Sequence, residues 1–288
     1  MADNKKIIWL ASYPKSGNTW FRIFLSNLLS AKDEPVDINE LQDTTIASNR
    51  QLFDDISGIS SADLTLAEIE KLRPQVYERM AENSENLLFL KIHDAFIYTC
   101  DGIPLVSERA SLKTIYFIRN PLDVAVSFAH HLGVPVQKSV DAMCNEEYAF
   151  CNRTDRLHNQ LEQRLFSWSN HVKSWTEQSV LPIRILRYED MLVDTFNIFS
   201  KAVKFIGLEH TDDNIRRALN FSSFAELQKQ EISKGFKEKA PVADLFFRKG
   251  SSGTWHDELP EICVKKIIAV HSEIMMKFGY LDDEGNPI

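Results

Sequence analysis

A chain of 288 residues, 44% hydrophobic and 10% aromatic, can bury a large core, and no stretch reads as a linker, so one α/β domain over 1–288 is expected. The formal net charge of -8 argues against a general nucleic-acid binder, whose footprint is a basic face, so any anion site must be a local cluster of Lys and Arg. Cys100, Cys144, Cys151 and Cys263 form no C-x-x-C pair, the start Met1-Ala2-Asp3-Asn4 has no apolar leader core, and the run Ile7 to Ala11 is too short for a bilayer. A reduced, cytoplasmic protein without a membrane anchor is expected. The histidines show no H-E-x-x-H or Cys/His ligand spacing, so no metal is expected, and His130-His131 reads as helix surface or pocket wall.

In chain order, a buried strand is expected over Ile7 to Ser12, running through the turn Pro14-Lys15-Ser16-Gly17-Asn18-Thr19 into a helix. That helix rests on Trp20, Phe24 and Leu28 recurring at i, i+4 and i+8 beside Phe21, Leu25 and Leu29. A helix over Thr65 to Asn83 precedes a strand over Leu87 to Ile92, and a strand over Lys113 to Ile118 precedes a helix over Leu122 to Leu132. In the latter helix Asn120 suits the N-cap, Pro121 the first position and Asp123 the first turn. A long helix over Leu157 to Gln178, a strand over Ile183 to Leu186 and a helix over Thr195 to Ile206, stopped by Gly207, complete the pattern. Alternating β and α segments imply a central parallel sheet with helices on both faces.

Each strand is followed by a polar residue useful to chemistry: Lys15, His93, Arg119 and Tyr188. Ligands of open α/β sheets bind at that edge, so the four signals converge on one crevice. The turn before the first helix is a phosphate-binding turn by its physics. Unpaired N–H groups and the positive dipole end face an anion, Gly17 permits close approach, and Lys15 adds a full charge. The lysine precedes Ser16-Gly17, unlike G-x-x-x-x-G-K-[ST] with its magnesium-binding hydroxyl. Arg119 stands at the mouth of the next helix, with Ser127 two turns along, and Phe246-Phe247-Arg248-Lys249-Gly250 sets two cations against a glycine-rich turn that can wrap a phosphate.

The blocks Y-P-K-S-G-N-T-W, Y-F-I-R-N-P-L-D-V-A-V-S and R-K-G-S-S-G-T-W, spread in order from residue 5 to residue 255, resemble the soluble, cytosolic-type sulfotransferases. The wording of the first block looks more like that of bacterial members. The resemblance covers most of the chain and is specific at these blocks. It implies a P-loop-like phosphosulfate-binding loop and transfer of a sulfuryl group from 3′-phosphoadenosine 5′-phosphosulfate (PAPS), without a metal, to a hydroxyl or amine of a small molecule, leaving 3′-phosphoadenosine 5′-phosphate (PAP).

Residue by residue, the resemblance assigns Lys15, Ser16, Gly17, Asn18 and Thr19 to the 5′-phosphosulfate. Arg119, Ser127, Arg248, Lys249 and Gly250, with Phe246 and Phe247 in the same element, go to the 3′-phosphate. Trp20, Tyr188, Ser222 and Phe224 go to the adenine. His93 in L-K-I-H would be the general base of an in-line transfer, with Lys15 and Lys91 stabilising charge on the sulfuryl group and the bridging oxygen.

The family's dimerisation motif K-x-x-x-T-V-x-x-x-E is replaced by His256 to Lys265, with Pro260 for threonine and Lys265 for glutamate, so a monomer or a dimer through another surface is expected. Thr254 stands for a usual aspartate, and Ser222 for a threonine. The acceptor pocket would be walled by Val36 to Ile59, Phe96 to Leu105, His130 to Leu165 and Ile232 to Leu245, the last as a lid. Asp54, Asp55, Glu146, Glu147 and Asp155, with Phe53, Phe96, Tyr98, Tyr148 and Phe150, point to a polar acceptor, with a cationic one as the narrower expectation. Two alternatives stand beside this reading. A P-loop small-molecule kinase would need G-K-[ST] and magnesium chemistry, and a catalytically silent nucleotide-binding protein would not need both Lys91 and His93.

Overall fold

The computed structural model describes residues 5–30, 32–41 and 44–288. Residues 1–4, on which the expectation of no leader rests, and 42–43 within the 36–59 segment lie outside the described residues. The strands are β1 (Ile7–Ser12), β2 (Thr44–Ile46), β3 (Leu88–Ile92), β4 (Ser111–Ile118), β5 (Ala149–Phe150), β6 (Gln163–Arg164) and β7 (Ile183–Arg187). The helices are α1 (Asn18–Leu29), α2 (Arg50–Ser57), α3 (Leu66–Asn83), α4 (Pro121–Leu132), α5 (Val136–Met143) and α6 (Trp168–Thr176), then α7 (Tyr188–Val193), α8 (Thr195–Ile206), α9 (Asp212–Phe221), α10 (Phe224–Lys234), α11 (Trp255–Glu258) and α12 (Glu261–Lys277).

Five strands form a central parallel sheet in the order β2-β3-β1-β4-β7, flanked by helices, as the alternating pattern implies. β1 pairs with β3 from Ile7 opposite Leu88 to Ala11 opposite Ile92, and every β1 residue is buried. A strand covered on both faces reads as a continuous apolar run, which is why Ile-Ile-Trp-Leu-Ala is visible without alternation.

The backbone contacts divide the chain into two compact units. The first comprises Met1–Tyr13, Thr44–Tyr116 and Glu146–Ile185. In it Trp9 meets Tyr77 of α3 edge-on at 5.1 Å, and Phe53, Ile69, Val76 and Leu161 form a buried cluster. The α3 start is a full capping box, with the Thr65 hydroxyl accepting from Glu68 N–H and the Glu68 carboxylate accepting from Thr65 N–H. The second unit comprises Pro14–Asp43, Phe117–Asn145 and Leu186–Ile288. There Phe199 of α8 packs on Phe21 and Phe24 of α1 at 5.2 and 4.8 Å.

The helix expected over Leu157 to Gln178 is corrected: only Trp168–Thr176 is helical, and 163–164 pairs with 149–150 as a short antiparallel hairpin. Long-range hydrogen bonds hold this segment extended. Arg164 N–H donates to the Asp94 carboxylate, Ala95 N–H donates to the Arg164 carbonyl at 2.7 Å, and Arg73 donates to the Glu162 carbonyl. Phe166 then takes φ 59°, and the Ser167 hydroxyl caps α6 by accepting from Asn170 N–H.

Candidate functional site

In the second unit the turn before α1 is built from backbone rather than side-chain caps. Lys15 takes φ 70° and Gly17 φ 99°, and Gly17 is the N-cap of α1 with no side-chain capping bond. A left-handed lysine costs on the order of 1–2 kcal/mol, a strain of the kind that clusters at ligand clamps. A Cβ at Gly17 would lie 2.8 Å from the Tyr188 ring, so glycine is required both by φ and by this close packing.

Around that turn the unit gathers most residues that the motifs select. Arg119 is buried, donates to the Lys15 carbonyl at 3.3 Å and the Ser251 carbonyl at 3.0 Å, and lies 4.3 Å from the centre of the Tyr188 ring. Tyr188 meets Trp20 edge-on at 6.2 Å. The Lys15 ammonium stands 3.6 Å from the centre of the Phe246 ring, a cation–π contact. Burial raises the Tyr188 phenol above its ordinary pKa, so it stays a neutral, flat face. Two buried polar atoms at this turn, Ser16 Oγ and Arg119 Nε, have no hydrogen-bond partner among the described residues. Buried polar groups are ordinarily satisfied, so both atoms fit an anionic ligand.

The Phe246 to Gly250 element is held by groups that local sequence does not reveal. Glu231 of α10, itself buried, accepts from Phe246 N–H at 2.7 Å and Phe247 N–H at 2.8 Å. Asp123 does more than favour a first turn: its carboxylate accepts from Gly253 N–H at 2.8 Å, Thr254 Oγ1 at 2.9 Å and Trp255 N–H at 3.1 Å. Gly250, at φ 62°, lies against Phe224, whose Cδ2 would be 2.3 Å from an added Cβ.

Arg248 and Lys249 both reach Glu258 Oε1 at 2.7 Å, and His130 Nε2 reaches Oε2 at 2.7 Å. Burial alone would raise the Glu258 carboxyl, but hydrogen bonds from Lys249, His130 and Arg248 outweigh it and hold the pKa at about 2. A cleft of about 540 Å³ opens here, lined by Val126, His130, Val242, Leu245 and Arg248 among others, a size suited to a small ligand.

Other selected residues are placed differently. Ser222 is fully buried, and its hydroxyl donates to the Ala218 carbonyl at 2.7 Å, closing α9. Ser127 is half-buried on α4. The segment expected as a lid carries Glu238, paired with Arg22 at 2.7 Å, and Phe236, which is buried. At the altered dimerisation element, Lys265 pairs with Glu261 one turn back in α12 at 2.6 Å.

In the first unit Lys91 and His93 close β3. His93 Nδ1 lies 2.8 Å from the Ser12 carbonyl oxygen, so this nitrogen carries the proton and donates, and Nε2 is the basic nitrogen. Ser12 ends β1 three residues before Lys15. Asp94, next in the chain, is locked to Arg73 by bonds of 2.9 and 2.8 Å in the core. Of the aromatic candidates, Phe53 and Phe96 are core, while Tyr98 is 52% exposed. Asp55, Glu146 and Glu147 are exposed, Asp54 accepts from Ser61 N–H, and Asp155 pairs with Arg153.

Among the described residues no group of three or more His, Cys, Asp and Glu is placed to hold a metal ion, and no helix is long and apolar enough to cross a membrane.

A family model described as the sulfotransferase domain matches residues 5–279. Flavonol 3-sulfotransferase of Flaveria bidentis is 26% identical over 272 residues, covering 90% of this chain and 78% of its own. Sulfotransferase 2A6 of Rattus norvegicus is 26% identical over 279 residues, covering 93% and 84%. The solved structure of a mouse sulfotransferase complexed with PAP superposes with a TM-score of 0.61 at 20% identity, over 99% of this chain and 87% of that one. Retinol dehydratase in complex with androsterone and PAP gives 0.62 at 19% identity, over 94% and 80%. These two likenesses show the fold. With the family model spanning nearly the whole chain, this protein belongs to the sulfotransferase domain family.

Proposed function

We propose that residues 1–288 work as one PAPS-dependent sulfotransferase that sulfates a small-molecule acceptor with His93 as general base. The observation that carries the PAPS reading is the turn at α1, where buried Ser16 Oγ and Arg119 Nε have no partner among the described residues and Arg119 also donates to the Lys15 carbonyl. PAPS brings the activated sulfuryl group.

Lys15, Ser16 and the N–H groups of the α1 start would hold the 5′-phosphosulfate, and Gly17 admits it closely. Arg119, Arg248 and Lys249 would hold the 3′-phosphate, and the Trp20 and Tyr188 rings would face the adenine. His93 Nε2 would accept the acceptor proton as the acceptor oxygen or nitrogen attacks sulfur and the bond from sulfur to the bridging phosphate oxygen breaks, PAP leaving with that electron pair, while Lys15 and Lys91 would offset charge on the oxygens about sulfur. The kinase alternative is not favoured, because the loop lacks G-K-[ST] and the family is that of sulfotransferases.

Arg119→Ala is expected to weaken PAP binding by roughly 10-fold or more, since a charged hydrogen-bonding group contributes about 1.5–3 kcal/mol, while AMP binding changes little. Equal losses for both ligands by calorimetry would take Arg119 out of 3′-phosphate recognition.

The exposed carboxylates Asp55, Glu146 and Glu147 support a polar acceptor, and a cationic one by charge complementarity. With PAPS as donor, amino and guanidino alcohols are expected to be sulfated faster than simple phenols. Faster turnover of the phenols would overturn this acceptor class.

A further inference from the structure

One face of α6 grips the chain immediately after β3. His171, Ser174 and Trp175 stand at i, i+3 and i+4. His171 Nε2 lies 3.0 Å from the His93 carbonyl oxygen, Trp175 Nε1 donates to the Asp94 carbonyl at 2.9 Å, and Ser174 Oγ accepts from Phe96 N–H at 2.9 Å. The segment that carries His93 is thereby fastened along its backbone.

His171 is fully buried, and its other nitrogen, Nδ1, lies 2.9 Å from the Tyr116 hydroxyl, which is also buried. The directions of these bonds are dictated. A carbonyl can only accept, so His171 Nε2 carries the proton, Nδ1 offers its lone pair, and the Tyr116 O–H donates to it. The Tyr116 oxygen in turn accepts from the backbone N–H of Tyr13. Burial pushes His171 down to about 4, so it stays neutral and keeps this arrangement at neutral pH.

A single buried chain of hydrogen bonds thus runs from Tyr13, just before the phosphate-binding turn, through Tyr116 and His171 to the backbone of His93. His93 closes the loop by donating to the carbonyl of Ser12. Tyr13 and Tyr116 open two of the blocks that carry the resemblance, whereas His171 belongs to none of them.

We propose that His171, oriented by Tyr116, is a positioning residue for His93: it fixes the backbone that carries the imidazole and so keeps Nδ1 on the Ser12 carbonyl and Nε2 as the base. This rests on the reading of His93 as general base.

The test compares His171→Asn, His171→Gln, Tyr116→Phe and His93→Ala in the full chain. Asn is too short to reach the His93 carbonyl, whereas the Gln amide nitrogen can stand where Nε2 stands. Asn and the Tyr116→Phe variant are expected to lower kcat by roughly 10–10²-fold, the cost of a misplaced catalytic group, with calorimetric PAP affinity within about twofold of the parent protein. Gln is expected to restore most of the rate.

In ¹⁵N-histidine spectra the parent protein should show His93 protonated at Nδ1, and the His171→Asn and Tyr116→Phe variants should show averaged tautomers. With His93→Ala inactive, parental kcat and an unchanged His93 signal in both would overturn the positioning role alone. A fully active His93→Ala would instead remove the base reading beneath it. If His171→Asn does not fold, Tyr116→Phe, which deletes one oxygen atom, decides by the same two readouts.

Discussion

Replacing His93 with Ala is expected to cut turnover by roughly 10²–10⁴-fold, the reach of general-base catalysis, while PAP affinity stays within about twofold. The split follows from where the groups sit. The turn at α1, Arg119 and the Arg248-Lys249 pair all belong to the second unit, whereas His93 belongs to the first, at the end of β3. Its Nδ1 proton is committed to the Ser12 carbonyl, which leaves the lone pair on Nε2, the nitrogen proposed as the base. Loss of a group that acts only as the acceptor deprotonates lowers kcat and kcat/KM together and leaves donor binding alone. Steady-state kinetics with PAPS, beside calorimetry with PAP, measure both quantities. Full turnover by the variant would place the base elsewhere.

Asp94→Ala is expected to destabilise the protein by roughly 3–5 kcal/mol, the cost of leaving one member of a buried ion pair without the other. The Arg73 and Asp94 side chains are 4% and 1% exposed. The guanidinium makes two bonds to the carboxylate and also donates to the Tyr77 hydroxyl at 2.9 Å. Alanine removes the anion and leaves the cation in the core. The urea midpoint should fall with an unchanged slope, and Tm should drop by about 10 °C. A Tm within about 2 °C of the parent would mean that Arg73 finds water or another anion. Because Asp94 follows His93 and also receives Arg164 N–H, turnover should fall with stability.

Local signals in the sequence carried the parts of the fold whose physics is local. β1 is readable because a doubly covered strand is continuously apolar, and Gly17 because the turn needs a left-handed residue. Asn120 caps α4 through Leu122 N–H with Pro121 in the first position, and α8 ends at Gly207, as the residue types require. The resemblance of three blocks then led to the residues proposed to bind the anions.

Tertiary bonds hid the rest. Residues 157–167 have helix-compatible composition, yet Asp94 and Ala95 draw Arg164 into extended pairing. Glu231, Asp123 and Glu258 hold the Phe246 to Trp255 element through contacts that no short window contains. His171 left one faint signal, a histidine on the apolar stripe of Trp168, Val172 and Trp175, and the misread helix obscured it.

The central claim is a PAPS site built on the α1 turn, and calorimetric titration of PAP beside ATP and AMP, with and without magnesium, tests it most directly. Tight binding of PAP alone, unaffected by magnesium, is the predicted result. Preference for ATP, dependent on magnesium, would contradict it and return the chain to the kinase reading.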